Sequence, residues 1–172
     1  MTKLSSVLIV EDEMELLEML RNGLSLRAYH CETAMNATVA LELLNERLFD
    51  LMLIDIDLPD MSGFELAKKA KRLNPNITVI IMTGFIGDFS YDEAVKTGAT
   101  DFIKKPFTVK ELDVRIKQIE MQEELKKKLK DFEDFYEIAV GRELRMIELK
   151  KEIERLKKES RKQKSHADET QD

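Results

Sequence analysis

The stretch LMLIDIDLPDMSG, residues 51–63, sets four apolar residues before Asp55, a second aspartate two positions on, and a Pro- and Gly-bearing turn after that. A short apolar run without polar alternation, closed by turn residues, suits a strand buried on both faces of a parallel sheet. Three similar runs lie elsewhere: VLIV (7–10), VIIM (79–82) and DFI (101–103), with YHCETA (29–34) a weaker second strand. Between them MELLEMLRNGLSLR (14–27), NATVALELLNERL (36–48) and GFELAKKAKRL (63–73) carry apolar residues at helical spacing. Alternating strand and helix predict an α/β fold: a five-stranded parallel sheet, right-handed crossovers, and five helices shared between its two faces.

Composition limits the rest. The chain has 172 residues and a net charge of −6, which argues against nucleic acid as a default partner. Cys31 is the one cysteine, so no internal disulfide forms and a reducing compartment fits. The N-terminal apolar run is too short for a signal-peptide core, and no run approaches the ~20 apolar residues of a membrane span, so a soluble cytoplasmic protein is expected.

The second half differs. Residues 111–172 hold 16 Lys/Arg and 17 Asp/Glu, no proline, and only Gly141. Phe132, Phe135, Ala139, Arg142, Met146, Leu149, Ile153 and Leu156 fall on a heptad, and all but Arg142 are apolar. That pattern predicts a coiled-coil helix (123–159) running without a break from the last helix of a domain at 1–122. Such a seam cannot bury itself alone, so a parallel homodimer is expected, with Arg142 costly at its d position unless paired. Val140, Leu144 and Ile147 form a second apolar stripe that a two-stranded coil leaves exposed. From Ser160 the apolar period stops, and a disordered tail (160–172) is expected.

In open α/β sheets ligands bind beyond the carboxyl ends of the strands. Glu11 and Asp12 end the first strand, Asp55 the third and Thr83 the fourth, and Lys105 follows the fifth. Carboxylates gathered there repel one another unless a cation neutralises them, and hard oxygen ligands suit Mg²⁺. The set reads as a magnesium-dependent phosphoryl-transfer site with a carboxylate nucleophile. Lys105 balances phosphoryl charge and Thr83 donates a hydrogen bond. Pro106 marks the start of the last helix, since proline is well suited to a first helical turn.

VLIVEDE, LMLIDIDLPDMSGFEL, VIIMTG and DFIKKPF, in this order and spacing over about residues 5–120, resemble the receiver domain of two-component response regulators, the CheY-like family. The resemblance implies a flavodoxin-like fold with Asp55 accepting a phosphoryl group from a sensor histidine kinase. It implies that Glu11, Asp12, Asp55 and the backbone carbonyl of Asp57 surround Mg²⁺. Thr83, Gly84 and Lys105 then serve phosphoryl binding, and Phe102 occupies the switch-aromatic position, more often tyrosine. The Asp57 side chain is a further candidate, for influencing the water that hydrolyses the acyl phosphate.

The spaced aspartates also resemble the first motif of haloacid-dehalogenase-type phosphatases, in which the second aspartate is an acid and base. There the acidic pair follows the lysine, whereas Glu11 and Asp12 precede everything here, and no strand follows Lys105 to present further acids. Blander readings stand beside these. Glu11 and Asp12 alone suit a helix N-terminus. Cys31 reads as a small buried residue, His30 as a strand start, Gly63 as a close-approach position, and KKKLK (126–130) as a solvated helix face.

Residues 111–172 show no recognition helix or basic stripe, which argues against DNA binding, and no histidine that would make them a kinase phosphoacceptor helix. Residues 137–159 resemble the helical linkers of signalling proteins. Two expectations follow: a complete regulator whose output is coiled-coil pairing or a downstream protein partner, favoured by the polar tail, or the front of a longer signalling protein with a further output domain.

Overall fold

A computed structural model describes residues 4–84 and 97–168, with side chains through residue 157. The strands are β1 (Ser6–Val10), β2 (His30–Ala34), β3 (Leu51–Asp55), β4 (Thr78–Thr83) and β5 (Asp101–Lys104), and the helices α1 (Met14–Ser25), α2 (Ala37–Glu46), α3 (Gly63–Leu73) and α4 (Val109–Asp168). The remaining helix expected between β4 and β5 falls at 85–96, outside the described residues.

All pairings are parallel, in the order β2-β1-β3-β4-β5. Strand alternation sends each sheet face into its own core. Val7, Ile9, Leu51, Leu53, Ile80 and Met82 pack with Leu17, Leu20 and Leu24 of α1 and with Leu112, Ile116 and Ile119 of α4. Leu8, Val10, Met52, Ile54, Val79 and Ile81 meet Ala37, Ala40 and Leu44 of α2 and Leu66, Ala67 and Ala70 of α3. Each leucine so buried contributes about 1.5–3 kcal/mol. Every residue of β3 and β4 is buried, which is why neither strand alternates in sequence.

Local chemistry sets the helix starts. Asn36 caps α2 by accepting from Val39 N–H at 2.9 Å, and Ser62 caps α3 by accepting from Phe64 N–H at 3.3 Å. α4 begins at Val109, not at Pro106. A reciprocal capping box decides this: Thr108 Oγ1 accepts from Glu111 N–H (3.2 Å), and Glu111 accepts from Thr108 N–H (2.7 Å). Buried Asp113 then fastens α4 to β2's entry, accepting from the Tyr29 hydroxyl at 2.9 Å and from Lys117 at 2.8 Å.

The chain divides into two compact units, Met1–Glu123 and Glu124–Asp172. The backbone is helical through Asp168, where the sequence suggested a loose tail from Ser160. The tail lacks an apolar period but also lacks Gly and Pro, and its Lys, Arg, Glu and Gln are good helix formers. No helix among the described residues is long and apolar enough to cross a membrane.

Gly63 closes the loop after β3. Its N–H donates to Ile56 O at 2.8 Å, and a Cβ there would stand 2.1 Å from the carbonyl oxygen of Asp55. Gly63→Ala therefore forces backbone movement under Asp55. A loss of about 1–3 kcal/mol or more is expected in urea denaturation. Gly141→Ala, whose Cβ meets nothing within 4 Å, should instead raise helicity by circular dichroism.

Candidate functional site

At the carboxyl ends of β1 and β3, Glu11, Asp12 and Asp55 bring one carboxylate oxygen each within 4.8 Å of one another. Glu11 and Asp55 are buried and Asp12 is exposed, so the cluster opens to solvent on one side. Lys105 lies across it. Its Nζ donates to Glu11 Oε2 and to Asp55 Oδ2, each at 2.7 Å. The strand ladder fixes this reach: Lys105 N–H donates to Thr83 O at 2.7 Å, so the lysine follows β5 at the level where β4 ends.

Burial pushes the Glu11 carboxyl up to about 7, and the nearby Asp55 charge adds to this while Lys105 works against it. Burial also opposes the Lys105 ammonium, but its hydrogen bonds to Asp55 and Glu11 outweigh that and hold its pKa above the ordinary lysine value. One cation thus compensates two buried acids, with Asp12 left for a second cation. Hard oxygen donors open to water on one side fit Mg²⁺, which keeps several of its waters.

The other expected residues fall around this centre. Thr83 is buried at the end of β4. Phe102 is half-buried against the α2/α3-side core. Asp57 is exposed and bridges Ser62 across the β3–α3 loop. Gly84 is exposed, and among the described residues nothing lies within 4 Å of where its Cβ would stand. On α4, Phe132 and Phe135 are 65% and 69% exposed. Met146, Leu149, Ile153 and Leu156 are exposed as well, Arg142 likewise, and Ala139 is half-exposed, so within this chain the heptad seam is uncovered.

Asp60 escaped the sequence reading. Its carboxylate accepts from Ala37 N–H (2.9 Å), Thr38 N–H (2.8 Å) and the Thr38 hydroxyl (2.6 Å), tying the β3–α3 loop to the start of α2. These donors, the Thr38 hydroxyl foremost, hold its carboxyl down near 2. Its partners lie more than twenty residues away, and no local pattern announces them.

A strand-end aspartate bridged by a lysine, with two further acids and a threonine, on a 2-1-3-4-5 parallel sheet defines a phosphoryl-handling class of α/β domain. The response regulator receiver domain model matches residues 7–117, and the chain belongs to that family. It is 36% identical over 116 residues to the transcriptional regulatory protein CpxR homolog of Haemophilus influenzae, covering 67% of this chain and 50% of that one. It is also 36% identical to the phosphate regulon transcriptional regulatory protein PhoB of Pseudomonas aeruginosa, covering 66% and 51%. The match thus spans about half the length of these relatives. A CheY-like receiver domain structure from Methanospirillum hungatei superposes with a TM-score of 0.65 at 33% identity, covering 72% of this chain and 99% of that one.

The Glu11 shift makes a signed prediction. Glu11 binds its proton more tightly folded than unfolded, so its contribution to stability is fully present below its ordinary value of 4.5 and is lost as the pH rises through about 7. In EDTA the melting temperature should fall across that window. Mg²⁺ should raise it, and more near pH 8 than near pH 6, because a protonated Glu11 offers the ion a weaker ligand. Thermal melts at the two pH values, with and without the ion, check both signs.

Proposed function

We propose that this chain is a phosphorylation-dependent response regulator of a two-component system, in which Asp55 takes a phosphoryl group from a sensor histidine kinase. The observation that carries this reading is the Lys105 ammonium held 2.7 Å from both Glu11 and Asp55 at the open end of the sheet. Asp55 is the nucleophile: its Oδ forms the new P–O bond as the P–N bond of the phosphohistidine breaks, and the freed imidazole takes up a proton from water. Glu11, Asp12, Asp55 and the backbone carbonyl of Asp57 would hold Mg²⁺. When bound, the ion would supply charge neutralisation at the phosphoryl oxygens.

The chain's own groups do the rest. Lys105 gives up its contact to the Asp55 carboxylate and turns to a phosphoryl oxygen, keeping Glu11 as its second partner. Thr83 donates its hydroxyl to another, beside Gly84. Moving Thr83 frees space for Phe102, which lacks the hydroxyl of the commoner tyrosine and so responds by packing alone. The acyl phosphate adds charge and acceptor oxygens to a tightly packed site, and such sites change between discrete arrangements.

In this reading residues 1–122 are the receiver and 123–159 the output helix, and the protein works in the cytoplasm. The seven apolar seam residues from Phe132 to Leu156 support homodimerisation through that helix: apolar side chains exposed at heptad spacing need a partner. The output is then association with protein, not with nucleic acid. A second reading, the receiver part of a longer signalling protein, draws support from relatives about twice the length of the matched region.

Sedimentation velocity in Mg²⁺, with and without beryllium fluoride as a phosphoryl mimic, tests the proposal on wild type and Asp55→Asn. A change of mass or shape in wild type alone is expected. A species identical in all four samples contradicts a switch that acts through the helix.

A further inference from the structure

The loop between β3 and α3 is tied at its base and at its tip. At the base Ile56 N–H donates to Met82 O at 3.3 Å, Gly63 N–H donates to Ile56 O at 2.8 Å, and Asp57 bridges Ser62. The tip, Leu58 to Met61, reaches another element through one polar side chain. The Asp60 carboxylate accepts from Ala37 N–H at 2.9 Å, from Thr38 N–H at 2.8 Å and from the Thr38 hydroxyl at 2.6 Å. Leu58 and Met61 add packing against the core shared with α2 and α3. Among the described residues the tip makes no other hydrogen bond outside the loop.

Capping α2 does not by itself call for Asp60. Asn36 is the local cap, its side chain accepting from Val39 N–H at 2.9 Å. Asp60 is exposed, so water could satisfy the N–H groups it takes. What Asp60 adds is reach, since its partners lie 23 and 22 residues earlier in the chain. The Thr38 hydroxyl closes a contact that no helix cap requires. A full negative charge meeting the N–H groups of a helix start makes the stronger kind of hydrogen bond. Asp57 stands three residues before Asp60, and its backbone carbonyl is the one assigned to the ion above. A clamp so near a ligand holds it in place before the ion arrives, and such outer partners set metal affinity.

We infer that Asp60 is a positioning residue for the divalent-ion site: its hold on the start of α2 fixes the loop that presents the Asp57 carbonyl. The ion and the first turn of α2 then stabilise each other, because coupling between two sites is reciprocal. The inference rests on the reading that Glu11, Asp12, Asp55 and the Asp57 carbonyl hold Mg²⁺, and it deepens that reading.

Calorimetric titration of the full chain with Mg²⁺, paired with amide hydrogen exchange at Ala37 and Thr38, tests it. Asp60→Ala should weaken binding by about tenfold. Thr38→Val, which changes no charge, should weaken it by less, and the double variant should bind no worse than Asp60→Ala, since both remove one contact. Leu44→Val trims a buried side chain in the last turn of α2 and should leave the affinity unchanged. Mg²⁺ should slow exchange at Ala37 and Thr38 in wild type and not in Asp60→Ala. Unchanged affinity in Asp60→Ala overturns the inference. So does wild-type affinity in Thr38→Val, which would leave plain charge attraction, and so does equal weakening by Leu44→Val, which would leave general stability. Exchange at α2's first turn indifferent to the ion overturns it as well. Asp12→Asn separates the two levels. If it leaves the affinity intact, the reading of the acidic cluster fails and this inference with it. If it weakens binding and Asp60→Ala does not, this inference alone fails.

Discussion

The structure turns on one ammonium group shared between two buried carboxylates. Glu11 follows the last residue of β1 and Asp55 ends β3, adjacent strands whose carboxyl ends bring their acids together. Two such charges in a packed interior are costly unless a cation sits between them. Lys105 is that cation, and it comes from the far end of the domain sequence, ninety-four residues after Glu11. The order of the strands is what makes this reach possible: β4 pairs with β3 and β5 with β4, so the residue after β5 arrives above the end of β3. Any chemistry that consumes the Asp55 charge must reassign that ammonium, and the site is poised for that reason.

Support for Asp55 comes from beneath as much as from beside. Gly63 presses on its carbonyl with no room for a methyl group, and Asp60 pins the same loop to α2. The loop that carries Asp57 is thereby tied at Ile56, Ser62 and Asp60. A set of acids placed to hold a small divalent ion would benefit from such fixed loops, since its geometry would not have to be formed on binding.

The sheet was legible because its central strands are buried on both faces, and unbroken runs such as LMLI and VIIM have few other uses in a chain of this size. The acidic cluster was legible because strand ends in a parallel sheet converge. What depended on distant partners was not: Asp60 caps a helix that starts 23 residues earlier in the chain. The start of α4 was written locally, in Thr108 and Glu111, but Pro106 offered a competing signal and the two-way cap prevails over a good first-turn residue. Helix beyond Ser160 follows from propensity rather than pattern, so a search for apolar period passes over it.

The central claim is that Asp55 is a nucleophile held ready by Lys105. Its most direct test is intact-mass and peptide mass spectrometry after incubation with acetyl phosphate and Mg²⁺. The account predicts one phosphoryl group per chain, mapped to the peptide holding Asp55, absent without the ion and absent in Asp55→Asn. A phosphoryl group on another residue, or none on Asp55 under conditions where the ion binds, contradicts it.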